Sequence, residues 1–225
     1  MRKMKFPAPR DWVFERNSSP RLHPNPNITS VNIRRRRIIL ASKSKARQKL
    51  LKQTGLRFKV VESFIREKRQ LKGNCSDLVI ENALKKAKDV AKKFHSGVII
   101  AADTVVLVGK RIIGKPKNIK DAFKTLKLLS KKPQWVYTGI AVIDLDNQKT
   151  FTTYEKTKVY MNRLSDKQIR NYFQRVSPLD KAGSFDIQGL GSVFIERIEG
   201  CFYNVVGLPL AKLGRILKEV KIDIF

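Results

Sequence analysis

The chain has 225 residues, 42% of them hydrophobic and 30% charged, enough for one well-filled core and too few for three. Lys and Arg number 48 against 19 Asp and Glu, a net charge of +29, which excludes an acidic disordered chain and favours anionic partners, either polynucleotide or small polyphosphate. No apolar run nears the roughly 20 residues that span a bilayer, and two cysteines (Cys75, Cys201) with two distant histidines (His23, His95) build neither a disulfide framework nor a Cys/His zinc site, so a reducing cytoplasm fits best.

Residues 1–35 read as a separate, flexible extension. Ten basic side chains face only Asp11 and Glu15 up to Arg37, and five of the nine prolines fall here without apolar periodicity. The run Arg34-Arg35-Arg36-Arg37 has two open readings, a grip on nucleic acid or a solvated approach to the first strand. The remaining residues, 36–225, read as one domain.

From Ile38 the pattern alternates short β-branched runs with helical stretches. Ile38–Ala41 is a strand, Ser42-Lys43-Ser44 a turn, and Lys45–Gln53 a helix closed by Gly55. Phe58–Val61 is a second strand. Asp77–Phe94 carries Ala83, Ala87, Val90, Ala91 and Phe94 at the spacing of one buried helical stripe. Val98–Ala102 is apolar throughout, as in a strand buried on both faces, and is expected to deliver Asp103 and Thr104 to its carboxyl end, where ligands of open α/β sheets collect. Val105–Val108 and Arg111–Ile113 flank the two-residue turn Gly109-Lys110, then Gly114-Lys115-Pro116 precedes a helix over Ile119–Leu129. Val136–Leu145 and Thr150–Met161 are long strands. Ser165 to Gln168 has capping-box spacing for a helix to Arg175, Val193–Ile198 is a strand, and a helix follows Pro209. This succession predicts an α/β fold with a mixed sheet.

Several residues suit phosphate chemistry. Ser42, Ser44 and Arg47 surround a strand-to-helix turn, where hydroxyls, backbone N–H groups and a helix dipole converge on an anion; capping alone is the plainer reading. The glycine spacings of a P-loop and of a dinucleotide fold are absent. Asp103 can hold magnesium or take a proton from water, and Glu67 is a second carboxylate for such a site. Lys86, Lys115 and Lys181 stand out by context. Gln188 and Asn204 are amides able to read a base edge or to satisfy buried backbone, and Trp135, Tyr137, Phe185 and Tyr203 can stack a base or pack a core.

Taken together, these segments resemble the Maf family of nucleotide pyrophosphatases, also called septum formation proteins, over about residues 38–217. The motifs come in family order: Leu40-Ala41-Ser42-Lys43-Ser44 with Arg47, Glu67, Lys86-Ala87, Ala101-Ala102-Asp103-Thr104-Val105-Val106, Gly114-Lys115-Pro116, Tyr137-Thr138-Gly139, Asp180-Lys181-Ala182-Gly183, Ile187-Gln188-Gly189 and Asn204 to Pro209. The resemblance implies an elongated mixed sheet with flanking helices, similar to inosine triphosphatases, with two lobes around a cleft, often in a homodimer. It implies hydrolysis of nucleoside triphosphates to monophosphate and pyrophosphate as nucleotide house-cleaning. Asp103 matches the family's proton acceptor. Glu67 and Asp103 match residues near the divalent metal, magnesium first, with manganese or cobalt as substitutes. Ser42, Ser44, Arg47, Lys86, Lys115 and Lys181 match the groups around the phosphates.

Three positions tied to base selectivity in the family read Ala46, Thr104 and Gln188 here. Thr104 and Gln188 look like the branch acting on dTTP and UTP. Ala46 departs from it, since that branch has Arg there and the 7-methyl-GTP branch Trp. Lys131, Gln134 and Ser177 also replace the usual Gly, His and Glu. A contrasting expectation is a basic nucleic-acid-binding or division-linked interaction protein on the same scaffold with little catalysis.

Overall fold

A computed structural model of the chain describes residues 36–69, 73–179 and 181–224. The basic extension and Asp180 therefore lie outside the described residues.

A seven-stranded mixed sheet runs β2-β1-β3-β5-β6-β7, with the short β4 paired to β3 off that path. β1 (Ile38–Leu40), β2 (Lys59–Val60) and the start of β3 (Val98–Val108) are parallel; β4 (Arg111–Ile113), β5 (Gln134–Asp144), β6 (Lys149–Met161) and β7 (Ile195–Glu199) join antiparallel. The helices are α1 (Lys45–Gln53), α2 (Cys75–Ala91), α3 (Ile119–Leu129), α4 (Asp166–Arg175), α5 (Phe202–Val206) and α6 (Leu210–Glu219). The expected caps form: the Ser44 side chain accepts from Arg47 N–H, and Ser165 and Gln168 make a reciprocal capping box.

One expectation is corrected. Val98–Ala102 and Val105–Val108 are not two strands with Asp103 and Thr104 at an end; they are one eleven-residue strand, and both residues lie in its middle. β5 pairs with β3 from Val98 to Leu107 and keeps it extended across that point. A second difference is α5, which periodicity did not separate from its motif because five residues hold less than one and a half turns.

Strand alternation divides β3 between two faces. Ile99 and Ala101 pack with Ala83, Ala87 and Val90 of α2, while Val98, Ile100 and Ala102 pack with Leu50, Leu51, Leu213 and Leu217 of α1 and α6. Further along, Val106 and Val108 join Leu126, Leu129, Ile169 and Tyr172 of α3 and α4. Two apolar clusters thus occupy opposite ends of the same long strand. Gly139 on β5 lets α2 cross the sheet closely, since a Cβ there would stand 2.3 Å from the Val79 carbonyl oxygen.

The Arg34–Arg37 run resolves in part. Arg36 donates to Asp144 (2.9 Å), to Asp146 (2.6 Å) and to the Val220 carbonyl (2.6 Å), so it ties the β5–β6 turn to the end of α6. Arg36 is thus an internal clamp; Arg37 beside it is exposed, and Arg34 and Arg35 lie outside the described residues.

Candidate active site

On one edge β3 is paired twice and left open between. β1 covers only Val98–Ile100 and β4 only Val106–Val108, so Ala101–Val105 lack a strand partner there among the described residues. This notch is where the side chains of both sheet faces can meet.

From the α2 face comes a carboxylate pair on one ammonium. Lys86 Nζ lies 2.6 Å from Asp103 Oδ1, 2.6 Å from Glu67 Oε1 and 3.4 Å from the Ala102 carbonyl oxygen, which engages all three of its N–H donors. Asn82, one turn earlier on α2 and 1% exposed, donates from Nδ2 to Asp103 Oδ2 at 2.9 Å. The same amide brackets Lys68, accepting from its N–H at 3.0 Å and donating to its carbonyl at 2.9 Å, so it anchors the irregular segment that carries Glu67. Each Asp103 oxygen takes one of these bonds and keeps a lone pair for another partner. Burial pushes the Glu67 carboxyl up, but Lys86, Arg69 and Arg47 outweigh it and hold it below the usual carboxylate range.

From the opposite face comes Arg47, in the first turn of α1. Its Nε donates to the Gly207 carbonyl at 2.8 Å, Nη1 to Ser42 Oγ at 3.3 Å and Nη2 to Thr104 Oγ1 at 2.9 Å. Thr104 and Thr138 hydroxyls stand 2.9 Å apart, and Thr138 donates to the Asn204 carbonyl at 3.0 Å. With that proton spent, Thr138 accepts from Thr104, so the chain runs Arg47 to Thr104 to Thr138 to Asn204. Burial pulls the Arg47 guanidinium down from its ordinary value, opposed by the nearby charges of Asp103 and Glu67.

The other expected residues are placed less tightly. Ser42 is buried and its Oγ also accepts from Ser44 N–H at 3.3 Å; Ala46 is half-buried beside Arg47. Lys115 is exposed on the loop after β4, and Lys181 donates to the Ser177 carbonyl at 3.2 Å, a backbone partner available whatever the side chain at 177. Their loops are joined by Gly183 N–H to the Gly114 carbonyl at 3.4 Å, while Gln188 is exposed and its N–H donates to Asp186. The bonds that join Asp103, Glu67, Lys86 and Asn82 include neither lysine nor Gln188. Asn204 satisfies buried groups, donating to the Val136 carbonyl at 3.0 Å and to Thr157 Oγ1 at 2.8 Å, and Phe185 is core.

Sequence reasoning missed Asn82, Thr138 and the Gly207 carbonyl. Asn82 carried a signal: it sits four residues before Lys86, beside the apolar stripe, a polar pair on one helical face. The other two act through partners that lie far away in sequence.

Residues 37–220 match the family described as Maf-like protein. A dTTP/UTP pyrophosphatase of Methanosarcina barkeri is 46% identical over 191 residues, 84% of this chain and 97% of that protein. Another of Clostridium tetani is 44% identical over 189 residues, 83% of this chain and 98% of that protein. Among solved structures the Ham1 protein of Staphylococcus aureus aligns with 82% of this chain and 99% of its own, at 16% identity and a TM-score of 0.46.

Proposed function

The chain belongs to the Maf-like protein family, and from that premise we propose that it hydrolyses nucleoside triphosphates, dTTP and UTP first, to the monophosphate and pyrophosphate. The observation that carries this reading is the convergence of Asp103, Glu67 and Lys86 at the open edge of β3, across from Arg47 and Ser42. A buried carboxylate with unused lone pairs, beside several cations, suits attack of water on a phosphorus bearing a polyanionic leaving group.

In the proposed reaction, Asp103 takes a proton from the attacking water as the oxygen–phosphorus bond forms at the α-phosphorus. The bond to the β-phosphate oxygen breaks, and pyrophosphate leaves with the electron pair. Arg47, Ser42 and Ser44, with the amino end of α1, receive phosphate oxygens; Lys115 and Lys181 come from facing loops to offset charge on the leaving group. Lys86 sets the spacing of the two carboxylates, and Thr104 orients Arg47, with Ala46 and Gln188 bordering the base.

The donor set fits a divalent cation. Asp103 and Glu67 are hard-oxygen donors brought together by the Lys86 ammonium, and the lone pairs they keep are of the kind magnesium takes when waters and substrate phosphates complete its shell; no cluster of three or more His, Cys, Asp or Glu suited to a closed metal cage occurs among the described residues. When bound, such a cation neutralises charge on the phosphate oxygens. No described helix is long and apolar enough to cross a membrane, and the cysteine usage supports a cytoplasmic enzyme. Sedimentation of the full chain tests the homodimer.

The test is release of pyrophosphate against orthophosphate from dTTP, UTP and other nucleoside triphosphates with magnesium, run beside Asp103→Asn. Pyrophosphate release is expected to fall by about a hundredfold or more in the variant. Equal turnover by the two proteins, or orthophosphate as the product, overturns the reading. No observation favours the contrasting expectation that catalysis is secondary on this scaffold.

A further inference from the structure

Beyond α2, the face of the sheet that carries Gly139 continues as a surface of alternating rings and cations. Trp135 and Tyr137 on β5 pair in register with Lys158 and Lys156 on β6, and Tyr160 of β6 pairs with Arg197 of β7. The Lys156 and Lys158 ammonium groups lie 5.4 and 5.6 Å from the Trp135 ring centre, and Lys158 lies 5.0 Å from that of Tyr160. The Arg197 guanidinium stands 3.6 Å from the Tyr160 ring, and Tyr137 stacks on Tyr154 at 6.4 Å. Lys156 and Arg197 are exposed; Trp135, Lys158 and Tyr160 are half-buried. Trp135 pairs with Leu107, four residues along β3 from Asp103, about 13 Å away at about 3.3 Å per residue. The catalytic notch does not use these side chains.

Packing does not require this pattern, because the core of β6 is built from Thr157, Val159 and Met161 on its other face. The occupant follows from chemistry. Glu199 is held by Arg197 and the Tyr160 hydroxyl, and Lys156, Lys158 and Arg197 outnumber it, so these side chains are net positive and suit an anion. A second copy of this face would set cation against cation. An acidic peptide would satisfy the cations but offer no flat surface to the rings. A duplex hides its base faces, whereas single strands offer flat π-surfaces and phosphates together. We propose that this face of β5, β6 and β7 binds single-stranded polynucleotide, its bases stacking on Trp135 and Tyr160 and its phosphates taken by Lys156, Lys158 and Arg197.

The probe is a fluorescein-labelled oligouridine of about a dozen nucleotides, followed by anisotropy with the full chain across a salt series. Tyr160→Leu and Trp135→Leu keep the net charge and apolar bulk, and each is expected to weaken binding by about fivefold or more. Lys156→Gln with Lys158→Gln is expected to flatten the slope of log affinity against log salt by about 0.7 for each phosphate no longer neutralised. Tryptophan emission should quench on binding, and the quench should vanish in Trp135→Leu, where Trp12 still emits. Unchanged affinity in the two Leu variants, with melting temperatures kept, overturns the proposal and leaves general charge attraction. Equal affinity for a duplex of the same length, or self-association abolished by Trp135→Leu, overturns it as well. If the Leu variants melt early, the Gln pair decides, and an unaltered salt slope sinks the idea.

Discussion

Lys86 binds Asp103 with the same ammonium that binds Glu67, so one cation sets the separation of both carboxylates. Lys86→Met would strip that cation from a carboxylate only 4% exposed, at a cost of about 3 kcal/mol or more. Pairing it with Asp103→Asn is expected to restore part of the lost stability. Chemical denaturation measures both variants; equal losses would show that the buried pair is not what holds this region.

Arg36 and Asp144 predict an acid-dependent stability. Burial pushes the Asp144 carboxyl up, but bonds from Arg36 and Asn147 outweigh it and hold it at about 2 against an ordinary 3.8. A carboxyl depressed in the folded state stabilises fully above its unfolded value, and this contribution is lost as pH falls from 3.8 toward 2. The contribution is about 2 kcal/mol. Urea midpoints at neutral pH and at about pH 2 should differ more for the native protein than for Arg36→Ala; identical differences would remove Asp144 from the account.

Gly139→Ala tests the crossing of α2 over the sheet. Its Cβ would meet the Val79 backbone, which cannot swing aside as a side chain can, so a loss of about 1–3 kcal/mol is expected. Because Gly139 pairs with Asp103, turnover should fall along with the melting temperature. A variant that melts lower yet turns over normally would separate this crossing from the site.

Ala46→Arg tests selectivity. The added guanidinium would lie in the first turn of α1 next to Arg47, and the ratio of dTTP and UTP turnover to that of purine triphosphates should rise. An unchanged ratio across the nucleotide panel would count against a role for this position.

Most of the fold was legible because its signals are local. The helix over Lys45–Gln53 matched its residues end to end, since Ser44 caps it and Gly55 follows it within one short stretch. The Val108–Arg111 turn and the Ser165 capping box were equally self-contained. Asp103, Glu67, Lys86 and Arg47 were legible as chemistry through their motifs, yet nothing in those motifs says that Lys86 bridges the carboxylates or that Thr104 steers Arg47.

What the amino-acid order determined by itself was the series of elements, the basic balance and the inventory of acids, hydroxyls and cations. What only the tertiary structure decided was the geometry of the candidate site. β3 had to run unbroken along β5 while β1 and β4 covered separate parts of its other edge, so that Asp103 and Thr104 sit mid-strand at a gap. Arg47 had to find a carbonyl at Gly207, 160 residues away, and Arg36 the Val220 carbonyl, 184 away. Such contacts depend on strand register and on which edges are left unpaired. Those are properties of the assembled sheet, and no local run of residues encodes them.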